Sequence, residues 1–280
     1  MKSKLLLITL LLITMLGFGA CTQTENVLKL PELTASPTPS GSPLFSFIVF
    51  GDNGTINPYF EKIVADANRD NIAFLISTGD ITDGKSLGDL QAAKKYLDQH
   101  LDKPYHVAIG DNDYVIDKTG QRTDAAFTQT FGATKQSFDW DNSHFTIFES
   151  TDDKNSFSAA ELDWLENDLE QTDKDLKFLV MHIPIDVPLT DTSEISLEAQ
   201  ASNQKFRELL QHHQVNQIYT GHFHGYLNYE INGVPVTVTG GGGSSPQFGL
   251  DPDYHYVRVD VYPNTFRNHY FSLKTAETEK

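Results

Sequence analysis

Five apolar, strand-like runs in this sequence each end directly on aspartate or histidine side chains. In open sheets of parallel strands, the carboxyl ends of the strands share one edge, where ligands usually bind. Carboxylates and imidazoles gathered at such an edge are a typical donor set for divalent metals. Two metals that share a carboxylate suit displacement reactions at phosphorus. The candidate ligands are Asp52, Asp80, Asp111, His182, His222 and His224.

Each of these residues also has a plainer interpretation when it is taken alone. Asp52 and Asp80 could be helix N-caps, and His182 could be a packed core histidine. His222 and His224 could be a pair on a surface loop. A glycine precedes four of the six groups, which lets the chain turn sharply and leaves space around an ion. His213 is predicted to lie on a solvated helix face.

The elements that must position these side chains alternate between strand and helix. Asn57 and Pro58 are predicted to open a helix as N-cap and first helical residue. Ser158 and Glu161 have the spacing of a capping box. The sequence therefore predicts an α/β fold, with a strand-rich C-terminal part that forms a second sheet. The predicted strands are 44–50, 72–77, 104–109, 136–140, 144–148, 177–181, 215–219, 226–230, 234–238, 254–261 and 265–272, and the predicted helices are 57–70, 87–100, 158–171 and 198–214.

Composition excludes several classes of partner. The 280 residues include 21 Lys and Arg against 38 Asp and Glu, for a formal charge of −17. Nucleic acid is not expected as a partner, because such binding needs a basic face. Docking on an anionic membrane through a basic patch is excluded for the same reason. The single cysteine, Cys21, allows neither an internal disulfide nor a cysteine metal site.

The first residues are typical of a secretory signal, since Lys2 and Lys4 precede an apolar run over residues 5–18. Phe18-Gly19-Ala20-Cys21 resembles a bacterial lipobox. This resemblance implies cleavage before Cys21, acylation of its thiol and attachment to the lipid bilayer at the extracytoplasmic face of a bacterial membrane. A plain secretion signal or an uncleaved anchor is the alternative, although fourteen apolar residues are short for a membrane span.

The chain divides into three parts on these grounds. Residues 1–20 are predicted to be the signal peptide. Residues 21–43 are rich in Thr, Ser and Pro and are predicted to form a disordered tether. Residues 44–280 are predicted to form the folded domain.

The motifs GDNG, GDITDG, GDND, LVMHIP and GHFH occur in this order, each after an apolar strand. Together they resemble the motifs of calcineurin-like metallophosphoesterases, nearest the purple-acid-phosphatase-like branch, over residues 45–261. The resemblance implies a four-layer α/β/β/α sandwich of two mixed sheets flanked by helices. It also implies an acid-phosphatase-like hydrolase of phosphoric esters that uses two divalent or mixed-valence ions of Fe, Zn or Mn.

The resemblance also implies a role for each matched residue. Asp80 would bridge both metals, and a hydroxide between them would attack phosphorus in line. Asp52 and His224 would hold the first metal, whereas His182, His222 and Asp111 would hold the second. We further assign catalytic roles to Asp80, Asn112 and Asp113, and substrate contacts to Asn53, Asn112, Gly241 and Gly242. The glycine-rich segment 240–243 either cradles phosphate through its N–H groups or is a plain loop.

Four positions depart from the family pattern. Gly54 stands where many members have histidine; members of the purple-acid-phosphatase-like branch also have glycine there, with a tyrosine at the position of Asp83. Asp83 is either a metal ligand, an acceptor beside the ligands, or a helix cap. Asp111 replaces an asparagine, and Asn112 replaces a histidine that helps to protonate the leaving group. Losing a positioned acid typically costs about 10²–10⁴ in rate, least for aryl oxides; His255, Asp113 and Tyr114 are candidate substitutes.

Three kinds of function are consistent with these residues. The first is a membrane-tethered phosphoesterase for small phosphate esters, with monoesters favoured over diesters. The second is a degenerate lipoprotein that keeps the fold and binds metal or ligand without turnover. A solute-binding lipoprotein without metal is the third, and it leaves the ordered aspartates and histidines unexplained.

Overall fold

The computed structural model of the protein describes residues 41–69, 71–150, 156–188, 196–247 and 253–273. The signal peptide, Cys21 and almost all of the tether lie outside the described residues. Within those ranges, no helix has the length and apolar character needed to cross a membrane.

Two mixed sheets form the centre of the domain. The first has the order β13-β12-β1-β2-β3, and the second has the order β10-β11-β9-β8-β7-β6. β1, β2 and β3 are parallel, as are β7, β8, β9 and β11, while β12, β13, β10 and β6 run antiparallel to their neighbours. The strands are β1 Phe45–Phe50, β2 Leu75–Ser77, β3 Tyr105–Val107, β6 Gln136–Trp140, β7 Ser143–Ile147, β8 Leu176–Val180, β9 Gln217–Thr220, β10 Tyr226–Ile231, β11 Val234–Thr239, β12 His255–Tyr262 and β13 Thr265–Ser272.

Helices cover the outer face of each sheet. The first sheet carries α1 Pro58–Arg69, α2 Leu87–His100 and α3 Ala125–Phe131, and the second carries α4 Ala159–Gln171 and α5 Leu197–His212. Asn57 caps α1, because its Oδ1 accepts the backbone N–H groups of Tyr59 and Phe60 at 3.0 Å each. The predicted capping box of Ser158 and Glu161 begins α4. The four-layer α/β/β/α architecture predicted from the sequence is therefore confirmed.

Strand β1 shows why two sheets stack here. All six of its residues are buried. Phe45, Phe47 and Val49 face the second sheet. The centroid of the Phe47 ring lies 5.1 Å from that of Phe145 and 5.6 Å from that of Phe178. Ile48 and Phe50 face α1 and α2 instead. A central strand that is apolar on both faces needs a covering layer on each side.

Several elements differ from the sequence prediction. Helix α3 and a small hairpin of β4 Val115–Ile116 and β5 Arg122–Thr123 were not predicted, because segments of seven and two residues are too short to show periodicity. Helix α5 ends two residues before the predicted Gln214, which has a φ of 55°. His213 caps this helix and is 8% exposed, so its predicted position on a solvated face is wrong.

A buried histidine links the hairpin β6–β7 to α4. His144 Nδ1 lies 2.7 Å from Asp139 Oδ1, and Nε2 lies 3.1 Å from Asp168 Oδ2. Burial would lower the pKa of His144, but the hydrogen bonds to Asp168 and Asp139 outweigh burial and raise it. Burial would raise the pKa of Asp168, but its hydrogen bonds with His144, Ser137 and Thr146 outweigh burial and lower it. The charged pair therefore stabilises the fold where both groups are ionised.

We expect His144→Gln to lower the free energy of unfolding by about 1.5–3 kcal/mol between pH ~4 and ~6.5. The loss should shrink at higher pH, because a histidine with a raised folded pKa contributes stability that is lost as pH rises through that pKa. Urea unfolding of both proteins at about pH 5.5 and about pH 8.5 measures this difference. His212→Gln, at an exposed position, is the control. An equal loss at both pH values would contradict the ionised link.

Candidate metal centre

The carboxyl ends of five parallel strands carry the candidate ligands. Loops after β1 and β2 are joined by hydrogen bonds from Asp52 N–H to the Gly79 carbonyl and from Gly54 N–H to the Asp80 carbonyl, each 3.0 Å. Asp52, Asp80 and His222 have φ values of 57°, 51° and 69°. These left-handed conformations turn each chain sharply at the strand end and cost energy in residues other than glycine.

Six candidate ligands lie together in two groups. Asp52, Asp80 and His224 place one donor atom each within 4.8 Å of one another, and so do Asp111, His182 and His222. Asp80 connects the groups, because its Oδ1 lies 3.4 Å from His182 Nε2. This geometry is compatible with the predicted position of Asp80 between two ligand sets.

Two of the histidines are oriented by backbone carbonyls. His182 Nδ1 lies 2.9 Å from the Thr78 carbonyl, and His224 Nδ1 lies 2.9 Å from the Ser245 carbonyl. A carbonyl only accepts, so each Nδ1 carries a hydrogen, which leaves Nε2 as the ring nitrogen that faces the carboxylates and could bind a metal. His182 Nε2 then points to Asp111 Oδ1 at 2.9 Å, and His224 Nε2 to Asp52 Oδ1 at 3.6 Å. Histidines that hold metals are typically oriented in this way.

The buried carboxylates give the site its electrostatic character. Asp52 is fully buried, and burial raises its pKa to about 8. Asp80 and Asp111 behave in the opposite way: burial alone would raise the pKa of each, but His182 outweighs burial for both, with His222 adding to the effect on Asp111. A cation bound next to such a buried carboxylate would stabilise its ionised form. Residues of this kind, in this arrangement, fit divalent metal ions.

Asp113 holds the loops together rather than facing the opening. It is completely buried, and its oxygens accept backbone N–H groups of Gly110 at 2.9 Å and Thr82 at 3.0 Å. Burial, with the nearby Asp80 charge, raises the pKa of Asp113 to about 7. Asp113 was predicted to be catalytic; in this structure its hydrogen bonds position the loops after β2 and β3.

Asn112 and Asn53 both have partners other than the substrate assigned to them. Asn112 donates through its backbone N–H to Asp80 Oδ1 at 2.8 Å and through Nδ2 to Asp80 Oδ2 at 2.7 Å. It therefore fixes the orientation of the central carboxylate. Asn53 is 1% exposed and donates to the Ile81 carbonyl at 3.0 Å, so its assignment to substrate binding does not fit this structure.

The glycine-rich segment 240–243 packs closely against neighbouring parts of the fold. The N–H of Gly242 donates to the Gly51 carbonyl at 2.8 Å, so it is not available to a phosphate. Gly241 is buried against the ring of His255, which itself is fully buried. The assignment of Gly241 and Gly242 to substrate binding is thus not supported, because Gly242 packs against the loop after β1 and Gly241 packs against His255 at the start of β12.

We expect Gly241→Ala to lower the free energy of unfolding by about 1–3 kcal/mol, because the added methyl group would overlap the His255 imidazole. Gly88→Ala is the matched control. Gly88 lies in α2, and an added Cβ would only make an ordinary van der Waals contact with Ser86 Oγ at 3.7 Å, so alanine there should stabilise by up to about 1 kcal/mol. Denaturant unfolding of the two variants should give opposite signs, and a neutral Gly241→Ala would contradict this packing role.

Asp83 occupies the space that the absence of a side chain at Gly54 leaves open. A Cβ at position 54 would overlap the Asp83 carboxylate. Burial, followed by the Asp80 charge, raises the pKa of Asp83. Asp83 belongs to neither of the two ligand groups. It is not a helix cap either, because Ser86 caps α2.

Two features near the strands were not found by sequence reasoning. Arg122, on the hairpin strand β5, donates to the Asp111 carbonyl at 3.3 Å and lies 3.9 Å from the centroid of the Tyr114 ring. The one sequence feature that could have indicated Arg122 is a basic residue in a loop beside acidic motifs.

His213 lies with Glu166 and Glu170 in a third group whose donor atoms are within 4.8 Å of one another. This group is on α4 and the end of α5, apart from the two groups above.

Comparison with known proteins identifies the family. The profile of the calcineurin-like phosphoesterase family matches residues 45–226, and the chain belongs to this family. No curated protein matches the sequence significantly. Structurally it is similar to the purple acid phosphatase PPD1 of yellow lupin (Lupinus luteus), with a TM-score of 0.64, 18% identity and coverage of 85% of this chain. The chain spans 53% of the length of that protein.

Two further solved structures share the fold. GAP50 of Plasmodium, described as the anchor in the inner membrane complex, matches with a TM-score of 0.57 and 17% identity, over 82% of this chain and 85% of its own. PhoD matches with a TM-score of 0.56 and 14% identity, over 84% of this chain and 70% of its own. At these identities the likeness concerns the fold, and the chemistry must be argued from the residues of this chain.

Proposed function

We propose that this protein is a phosphoesterase that uses two metal ions to hydrolyse small phosphate esters, with monoesters preferred. The observation that carries this proposal is the pair of ligand groups joined through Asp80, with His182 and His224 oriented by carbonyls. Asp52, Asp80 and His224 would hold the first ion, and Asp111, His182 and His222 the second. The donor set suits Fe, Zn or Mn.

The chain's own residues prepare this site for a phosphoryl group. When bound, the two ions supply Lewis acidity toward phosphoryl oxygens and lower the pKa of water. Asn112 keeps both oxygens of Asp80 in place through two hydrogen bonds. Arg122 adds a fixed positive charge beside the Asp111 loop. That charge would orient a phosphate oxygen, which is the usual role of a guanidinium near a transferring phosphoryl group.

Departure of the alcohol is the step that these residues assist least. Water adds to phosphorus, the ester P–O bond breaks, and the leaving oxygen takes up a proton. Asn112 stands where a proton donor would act, and an amide is not an acid. The Tyr114 hydroxyl donates to the Glu149 carboxylate, and His255 is fully buried beside Gly241, so neither is assigned as the proton donor. Esters of acidic alcohols, such as aryl phosphates, should therefore react fastest.

Metal content and turnover of the full chain, measured on one sample, test this proposal. We expect two ions per chain, with hydrolysis of an aryl phosphate and slower hydrolysis of a bis-aryl phosphate. Faster turnover of the diester would make the protein a phosphodiesterase instead. Fewer than two ions under saturating supply, together with no turnover of either ester, would contradict a hydrolase.

A binding protein without turnover is the second candidate. Asn112 favours it, because the residue at the acid position is engaged with Asp80. GAP50, which shares the fold, is named as an anchor. This candidate predicts that metal binds and that no ester is hydrolysed.

We further propose that the domain acts outside the bacterial cytoplasmic membrane, attached by a lipid on Cys21. Support comes from the sequence around the Phe18-Gly19-Ala20-Cys21 motif and from the Ser, Thr and Pro content of residues 22–43. Mass spectrometry of the mature N-terminus tests this, with a diacylated or triacylated cysteine expected. An unmodified N-terminus elsewhere would contradict it.

A further inference from the structure

A groove of about 350 Å³ lies beside the candidate metal centre. It runs between the loops that follow β1 and β2 and the first half of α2. Gly54 and Asp83 line its inner end, and Asp89 and Ala92 on α2 line the other side. Its volume is in the range of small-ligand sites, roughly 300–1,000 Å³.

The groove continues from the ligand groups. Gly54 lies two residues after Asp52, and its N–H donates to the Asp80 carbonyl at 3.0 Å. Asp83 is close enough to Asp80 and His224 for their charges to influence its pKa. The inner end of the groove is therefore at the edge of the metal centre. Because a side chain at position 54 would overlap the Asp83 carboxylate, glycine there lets Asp83 lie at this end of the groove.

The lining combines apolar surface with negative charge. Ile56, which is 39% exposed, and the methyl group of Ala92 supply apolar surface. The carboxylates of Asp83 and Asp89 supply the charge. Lys85 is near enough to Asp83 to influence its pKa, but it does not line the groove. A cation with a short hydrocarbon linker is complementary to this lining, whereas a second anion is not.

We propose that this groove binds the alcohol portion of the substrate and selects phosphate esters whose alcohol carries a compact cation, such as an amino alcohol. The inference rests on the proposed hydrolysis and adds its substrate class. The phosphoryl group lies at the metal centre, and the ammonium end of the alcohol lies between Asp83 and Asp89. On hydrolysis, the oxygen of water bonds to phosphorus, the ester P–O bond breaks, and the amino alcohol leaves with a proton from solvent.

A matched pair of substrates tests the charge selection. 2-Aminoethyl phosphate and n-propyl phosphate differ only in an ammonium against a methyl group. We expect kcat/KM to be about tenfold higher for the amino ester, because its ammonium group would pair with two partly exposed carboxylates. Asp89→Asn should reduce this ratio to about threefold. Asp102→Asn, which removes an exposed carboxylate after α2, should leave the ratio unchanged.

Binding of non-hydrolysable analogues separates this inference from the proposed activity. We expect 2-aminoethylphosphonate to bind the metal-loaded full chain about tenfold more tightly than n-propylphosphonate, by calorimetry, and Asp89→Asn to reduce that ratio. If the expected ratio of phosphonate affinities is found while neither ester is hydrolysed, the groove proposal is supported and the proposed hydrolysis is contradicted. Hydrolysis of both esters with equal kcat/KM, or equal or undetectable binding of both phosphonates, would overturn the groove.

Discussion

Asp80→Asn should abolish metal-dependent hydrolysis, with kcat lower by at least about 10³. Asp80 is the carboxylate that connects the two ligand groups. It belongs to the group with Asp52 and His224, and its Oδ1 lies 3.4 Å from Nε2 of His182 in the other group. An amide has the same shape but no charge, so the two proposed ions would lose a shared anionic ligand. The number of metal ions per chain should therefore fall from two to one or none.

Elemental analysis and turnover of an aryl phosphate by the same preparation measure both effects. Asp102→Asn removes one exposed carboxylate elsewhere and should retain two ions and full turnover. Urea unfolding of Asp80→Asn checks that the fold persists. A variant that keeps two ions and the native kcat would show that Asp80 is not the bridging ligand.

Asn112→His should accelerate hydrolysis of alkyl phosphates by about 10²–10⁴. The reason is that an imidazolium at this position can protonate an alkoxide as it leaves, which the asparagine amide cannot do. The backbone N–H of residue 112 would still donate to Asp80 Oδ1, so part of the present link to Asp80 is kept. Aryl phosphates should gain little, since aryl oxides leave without a proton.

The ratio of kcat for an alkyl and an aryl phosphate is the measurement that isolates this effect. Asn112→Ala is the control, because it removes the 2.7 Å hydrogen bond to Asp80 without adding an acid. That variant should lose activity toward both esters equally. Equal acceleration of both esters by Asn112→His would mean that the histidine acts on the metal site and not on the leaving group.

The fold and the six candidate ligands were accessible from sequence for one physical reason. Strands such as β1 and β8 are largely apolar and mostly buried, and the polar residues that follow each one lie at the edge of its sheet. Each ligand motif follows such a strand. The pattern therefore predicts both the layers and the convergence of side chains that the structure shows.

Roles that depend on contacts between distant loops were not accessible in the same way. Nothing near Gly242 in the sequence shows that its N–H is taken by the Gly51 carbonyl. The same is true of Asn53, whose amide is taken by the Ile81 carbonyl. A glycine or asparagine in a loop looks available for substrate until its partners are known. Arg122 was missed because its two-residue strand leaves no periodic signal.

The left-handed backbone at Asp52, Asp80 and His222 has a consequence for how the protein can change over generations. Each of these residues costs the fold free energy through its conformation, and Asp52 adds the cost of a buried carboxylate. Replacement by glycine at any of them would relieve strain, so loss of the site is open to single mutations that make the chain more stable. A lineage with no use for the site would be expected to accumulate them.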